Sequence, residues 1–99
     1  MWVIALKRLR EFWEKPGYED AKEPIRAWYA EATRATWSTP IAIKAQYRTA
    51  SILKNQRVVF NIRGNKYRLV VKVIYEKGRV YIRFIGTHEE YDRIDATTI

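Results

Sequence analysis

Arg57-Val58-Val59-Phe60-Asn61-Ile62-Arg63-Gly64-Asn65-Lys66-Tyr67-Arg68-Leu69-Val70-Val71-Lys72-Val73-Ile74-Tyr75-Glu76-Lys77-Gly78-Arg79-Val80-Tyr81-Ile82-Arg83-Phe84-Ile85-Gly86-Thr87 is the stretch whose reading decides the fold. Its apolar residues recur with period two. Val58, Phe60 and Ile62 alternate with Arg57, Val59, Asn61 and Arg63, the pattern of a half-buried strand. Gly64-Asn65 then supplies two residues that tolerate the positive φ of a tight hairpin turn. The strand from Lys66 to Glu76 puts Tyr67, Leu69, Val71, Val73 and Tyr75 on one face. A second turn at Lys77-Gly78 leads to Arg79–Thr87, with Val80, Ile82 and Phe84 directed inward. The pattern predicts a three-stranded antiparallel meander. Two-residue loops at both turns would set the register. One outer row would then hold Arg57, Lys72 and Arg83, and another Asn61, Arg68 and Thr87, with Arg63 opposite Lys66.

Upstream, the period lengthens to that of a helix. Ala5, Leu9, Phe12 and Trp13 form one stripe over residues 5–14, which Lys15-Pro16-Gly17 ends. Asp20 and Glu23 are spaced as a capping box for a second helix, with Pro24 in its first turn. Ile25, Trp28, Tyr29, Ala32 and Thr36 continue the buried stripe, which assigns these aromatic rings to core. Ser38-Thr39-Pro40 reads as the cap of a short helix near residues 40–46. Residues 47–56 read mostly as loop, and residues 2–4 are a candidate short strand. The class is α+β, a meander packed on two to three N-terminal helices.

The chain has 99 residues, one His and no Cys, so it reads as one domain over residues 1–99. Its size excludes a large cofactor-binding enzyme, and no disulfide, thiolate metal site or cysteine nucleophile is possible. The first residues do not read as a signal peptide, and no apolar run reaches the roughly 18 residues of a membrane span. A soluble protein of a reducing cytoplasm is expected. The net charge is +8, and residues 54–83 hold nine basic groups against the single acid Glu76. The remaining residues are neutral overall. Rows of like charge across a sheet are unfavourable without a counter-anion, so the outer face reads as a surface for a polyphosphate backbone. A solvated basic face is the plainer alternative. Tyr81, Val59, Val70, Ile74 and Ile85 would give that face an apolar component.

The only histidine, His88, directly follows the third strand. Thr87 and Glu90 are spaced as a capping box, so a short helix is expected with His88 in its first turn and Tyr91 on the same face. The amides of such a helix start favour an anion. Histidine ordinarily titrates near neutrality, which suits proton transfer to a bound phosphodiester. Its plainer role is a hydrogen bond at the strand end. No ligand-spaced cluster supports a metal site, and Glu89, Glu90, Asp92 and Asp95 do not read as a two-metal set. There is no Gly-rich phosphate loop and no Ser/His/Asp arrangement.

The runs Arg57–Leu69 and Tyr81–Asp92 resemble the HigB-type toxins of bacterial toxin–antitoxin modules, members of the RelE-like group. Leu9-Arg10-Glu11-Phe12-Trp13 and Arg26-Ala27-Trp28-Tyr29 are similar to the same family. The resemblance implies a RelE-like fold and an endoribonuclease that cuts messenger RNA, typically on the ribosome. It also implies a HigA-like helix-turn-helix antitoxin, with operator DNA reached only through the toxin–antitoxin complex. Cleavage in that group needs no metal or other cofactor, because the ribose 2′-hydroxyl attacks the adjacent phosphate. With this resemblance, Arg68 and Arg83 become candidates for holding the scissile phosphate, and His88 and Tyr91 for the proton transfers. Arg57, Asn61, Arg63, Lys66, Lys72 and Arg79 are candidates for positioning RNA. A non-catalytic RNA- or ribosome-binding module is the competing class. An interaction protein that receives an acidic partner is a third.

Overall fold

The computed structural model describes residues 1–99. In chain order the elements are β1 (Trp2–Ile4), α1 (Leu6–Trp13), a 3-10 turn (Glu19–Ala21), α2 (Lys22–Arg34) and α3 (Pro40–Gln46). They continue with β2 (Ser51–Ile52), β3 (Arg57–Ile62), β4 (Tyr67–Ile74), a second 3-10 turn (Tyr75–Lys77), β5 (Arg79–Thr87) and α4 (His88–Tyr91). The three antiparallel strands expected from the period-two stretch are present, and the class is α+β. The sheet is larger than three strands, however. β1 pairs in parallel with β5, and β2 pairs with β3, giving a five-stranded mixed sheet of order β1-β5-β4-β3-β2. β2 lies within the segment expected as loop. It has two exposed residues, too few to carry a period.

The helices cover one face of this sheet. α1 buries Leu9 and Phe12, α2 buries Ile25, Trp28 and Ala32, and α3 buries Ile43. Thr39 caps α3 by accepting from the Ala42 amide, with Pro40 in the first turn where its missing N–H costs nothing. Phe60 of β3 sits at the centre of the aromatic core. Its ring centroid lies 5.4 Å from Trp28, 5.9 Å from Trp37 and 5.1 Å from Tyr47. Truncating such a ring to alanine costs about 3–5 kcal/mol.

The expected Asp20–Glu23 capping box does not form. Ala21 takes the N-cap position of α2, without a side-chain cap. The Asp20 carboxylate instead accepts from Lys66 Nζ and Tyr67 Oη, each at 2.5 Å, and lies 2.9 Å from Arg63 Nε. Two cations and a phenol hydroxyl engage both carboxylate oxygens, more than the backbone amides a cap would offer, so the tertiary partners win. They tie the turn before α2 to the β3–β4 connection.

The first hairpin has the expected register, with Arg57 opposite Lys72 and Asn61 opposite Arg68. Positive φ falls on Arg63 and Gly64 rather than on Gly64 and Asn65. The second hairpin departs from expectation for two reasons. Its connection is four residues long, the 3-10 turn plus Gly78 at φ 65°, so Ile74 pairs with Arg79 and Lys72 with Tyr81. A bulge opposite Val70/Val71 then leaves Arg83 without a cross-strand partner. The expected cationic row therefore becomes Arg57, Lys72 and Tyr81. The other row becomes Asn61, Arg68 and Gly86, and Thr87 faces Tyr67. The bulge also reverses two inferred orientations. Phe84 packs with Val59 and Val70 on the outer side, while Ile85 packs against the main core.

The outer face is not bare. Residues after α4 return across it, and Ile94, Ala96 and Ile99 pack with Val59, Val70, Phe84 and Tyr91 as a second apolar cluster. No helix is long and apolar enough to cross a membrane.

The hydrogen bonds from Lys66 and then Tyr67 lower the Asp20 pKa from 3.8 to about 2. Stability from its ionised form is therefore complete above 3.8 and is lost as pH falls through about 2. Asp20→Asn is expected to lower the thermal midpoint at neutral pH, and its gap from the parent should narrow as the solution is acidified through that window. A gap that stays constant in melting curves across the window would show that the ionised carboxylate is not what holds the connection.

Candidate functional site

α4 is only four residues long, too short to persist by its own hydrogen bonds. Its start is fixed by the expected capping box. The Glu90 amide donates to Thr87 Oγ1 at 3.1 Å, and the Thr87 amide donates to Glu90 Oε1 at 2.8 Å. Gly86 is required just before it. A Cβ there would lie 2.6 Å from the Phe84 ring and 2.9 Å from Glu90 Oε1. Tyr91 anchors the other end by packing against the Val59–Val70–Ala96 cluster. His88 remains exposed, with Nδ1 3.3 Å from Asp92 Oδ2. That contact leaves Nε2 as the ring nitrogen available to a ligand.

The cations divide into two groups. Arg68 projects from the outer side of β4, opposite Gly86, and its Nη1 donates to Asn65 O at 2.9 Å. Half-buried Asn61 is its neighbour on β3. Farther along the same face, an open cavity of about 460 Å³ is lined by four cations, Lys72, Lys77, Arg79 and Arg83, against one acid, Glu76, with Gln56, Ile74 and Tyr81. None of Arg68, Lys72, Lys77, Arg79 or Arg83 forms an ion pair with a carboxylate. Arg79 lies 5.3 Å from the centroid of the exposed Trp2 ring.

The second group is committed to the fold. Arg57 is buried at 7 % exposure, and its guanidinium donates to Asn55 O at 2.7 Å and to Ile99 O through both Nε and Nη2. Arg63 and Lys66 share Asp20. All three are expected on an RNA-facing surface; Arg57 is buried with chain carbonyl oxygens as partners, while Arg63 and Lys66, beside their shared carboxylate, remain about half exposed. Gln56 and Lys77 join the cavity unforeseen: Lys77 lies in the four-residue β4–β5 connection, and Gln56 is held beside β4 by the Val73 amide, which donates to its carbonyl. No group of three or more His, Cys, Asp or Glu side chains is arranged to hold a metal ion.

Residues 21–94 match the family model of the HigB toxins, the RelE-like toxic component of a toxin–antitoxin system. The chain belongs to the HigB toxin family. The matched segment contains every candidate catalytic and RNA-positioning residue named from the sequence. The chain is 32% identical over 94 residues to the mRNA interferase toxin HigB of Escherichia coli (strain K12), covering 93% of this chain and 88% of that protein. The mRNA interferase HigB proteins of Escherichia coli O157:H7 and Shigella flexneri match to the same extent. Within this HigB-family chain, β4, β5 and α4 bring Arg68, Tyr91 and the basic cavity to one sheet face.

The two groups of cations should respond differently to truncation. Arg57→Ala removes charged hydrogen bonds from a buried position and is expected to cost roughly 2–3 kcal/mol in urea denaturation. Arg79→Ala should stay within about 0.5 kcal/mol of the parent, as at other surface positions. Equal losses would mean that the division into structural and free cations is wrong.

Proposed function

We propose that residues 1–99 act as one toxin domain that cleaves messenger RNA in the cytoplasm, without a metal, while the message is being translated on the ribosome. A HigA-like helix-turn-helix antitoxin holds it inactive, and the complex of the two reaches operator DNA. The observation that carries this reading is the set of cations without carboxylate partners on the sheet face bordered by α4, in a chain whose relatives are mRNA interferases.

In the proposed reaction, Arg68 and Arg83 hold the scissile phosphate and stabilise the charge that develops on its non-bridging oxygens. His88 Nε2 takes the proton of the ribose 2′-hydroxyl. The 2′-oxygen attacks phosphorus, forming the P–O2′ bond as the P–O5′ bond breaks. Tyr91 gives its phenolic proton to the leaving 5′-oxygen. The products are a 2′,3′-cyclic phosphate and a free 5′-hydroxyl, so atoms and protons balance. The half-exposed position of Asn61 and the cavity cations Lys72 and Arg79 suit them to position the flanking backbone, and Tyr81 offers a ring on which a base can stack. Arg57 supports the sheet from its buried position, whereas Arg63 and Lys66 tie the turn to Asp20 through one donor each and keep exposed donors that can reach the RNA backbone.

Removing either proton-transfer group should lower the rate by roughly 10²–10⁴-fold. His88→Ala and Tyr91→Phe are each expected to show this loss when RNA 5′ ends are mapped after induction. Parent cleavage should persist in EDTA and leave cyclic-phosphate ends. Parent-like rates in both variants would remove these roles. RNA binding with no new ends and no growth arrest would make the chain a binding module.

A further inference from the structure

β5 is one residue longer than its partners across the bulge, and this distortion falls where its other edge also lacks support. β1 pairs only with Arg79, Val80 and Tyr81. At Ala5 the chain turns through the left-handed region, φ 77°, and enters α1. Beyond Tyr81, therefore, no strand lies beside β5 on that side. Unpaired edge carbonyls need another donor or water.

Arg8 supplies the donor. Its Nη1 donates to Ile82 O at 3.3 Å and to Arg83 O at 3.0 Å, the carbonyls on either side of the bulged peptide. Arg8 forms no ion pair. Its guanidinium takes the place that a longer β1 would occupy. The same α1 surface, through Glu11, Phe12 and Lys15, continues along Phe84 and Ile85 in a cavity of about 220 Å³. α1 thus grips the bulge from outside the sheet, while the Arg83 side chain leaves it toward the basic cavity.

We propose that Arg8 is a positioning residue for Arg83. By holding the two bulge carbonyls it fixes the backbone from which Arg83 projects, and so aims that guanidinium at the scissile phosphate. The inference rests on the proposed phosphate-binding role of Arg83. Arg8 itself does not touch the RNA. Its side chain is exposed, so its removal should leave the core packed.

The test is a double-mutant cycle on the intact protein, with single-turnover cleavage and KM measured for Arg8→Ala, Arg83→Ala and the pair. Displacing a charge-stabilising group by about 1 Å can cost up to about 10²-fold, so Arg8→Ala is expected to lower kcat by roughly tenfold to a hundredfold, with a smaller change in KM. Arg8→Lys, which keeps one charged donor on a long stem, should recover part of the loss. In the Arg83→Ala background, Arg8→Ala should cost nothing further. An undiminished loss in that background would mean that Arg8 acts on the RNA or on the fold at large, and would overturn the inference while leaving the role of Arg83 intact. A fully active Arg83→Ala would remove both. If Arg8→Ala fails to fold, the same cycle with Arg8→Lys decides, because a positioning role still predicts a loss that vanishes without Arg83.

Discussion

One inserted residue in β5 sets much of this architecture. A strand can present an apolar face and a polar face only while its two-residue period stays unbroken. The bulge at Arg83 breaks it in the middle of the sheet. Before the break, Val80 and Ile82 point into the helical core. After it, Ile85 takes the core position, and Phe84 lies beside Val70 on the other side. An uninterrupted register would have sent Phe84 inward and left Val70 without the aromatic ring that packs on it. The bulge thereby divides the apolar residues between two clusters. The returning segment with Ile94, Ala96 and Ile99 has a surface to cover because of this division.

The charge distribution follows from which cations found acceptors within the chain. Asp20 alone serves Arg63, Lys66 and the Tyr67 hydroxyl. The carbonyls of Asn55 and Ile99 occupy Arg57. Repulsion along the β3–β4 hairpin is relieved at its turn and at its open end. Lys72, Lys77, Arg79 and Arg83 form no ion pair, and their fields add in a cavity that they share with a single carboxylate, Glu76. The excess of +8, already gathered in residues 54–83, is thus narrowed further toward the cavity because the cations at the hairpin turn and its open end have partners within the chain.

The sequence was most informative where a rule is local. The period of two placed β3, β4 and β5, the Thr39 cap placed α3, and the Thr87–Glu90 box placed α4. It was least informative where partners are distant. Asp20 has the spacing of a cap, and nothing nearby shows that Lys66 and Tyr67 will claim it. β1 has three residues and β2 has two, so neither carries enough alternation to reveal its partner. The bulge was hidden for a different reason. Phe84 and Ile85 are both apolar, so the pattern reads equally well with either one inward. The site inherited these limits. His88 and Tyr91 share α4 through a local signal, whereas the pairing of Arg68 with Gly86 depends on the β4–β5 register and the burial of Arg57 on a segment 42 residues away.

The same inserted residue joins the two halves of the proposed chemistry. α4 carries His88 and Tyr91, yet a helix of four residues has almost no intrinsic stability. Its support comes from Phe84, whose ring fills the space over Gly86 and packs against the cluster that seats Tyr91. Phe84 occupies that place because Arg83 is looped out just before it. The peptide from which Arg83 projects is therefore continuous with the ring that supports the helix carrying His88 and Tyr91. Rigid-sheet sites hold geometry better than loops do, and here the rigidity includes the fault line itself. A change that slid β5 back into regular register would not weaken one role at a time. It would turn Phe84 inward, empty the space beside Gly86, and redirect Arg83 in a single step.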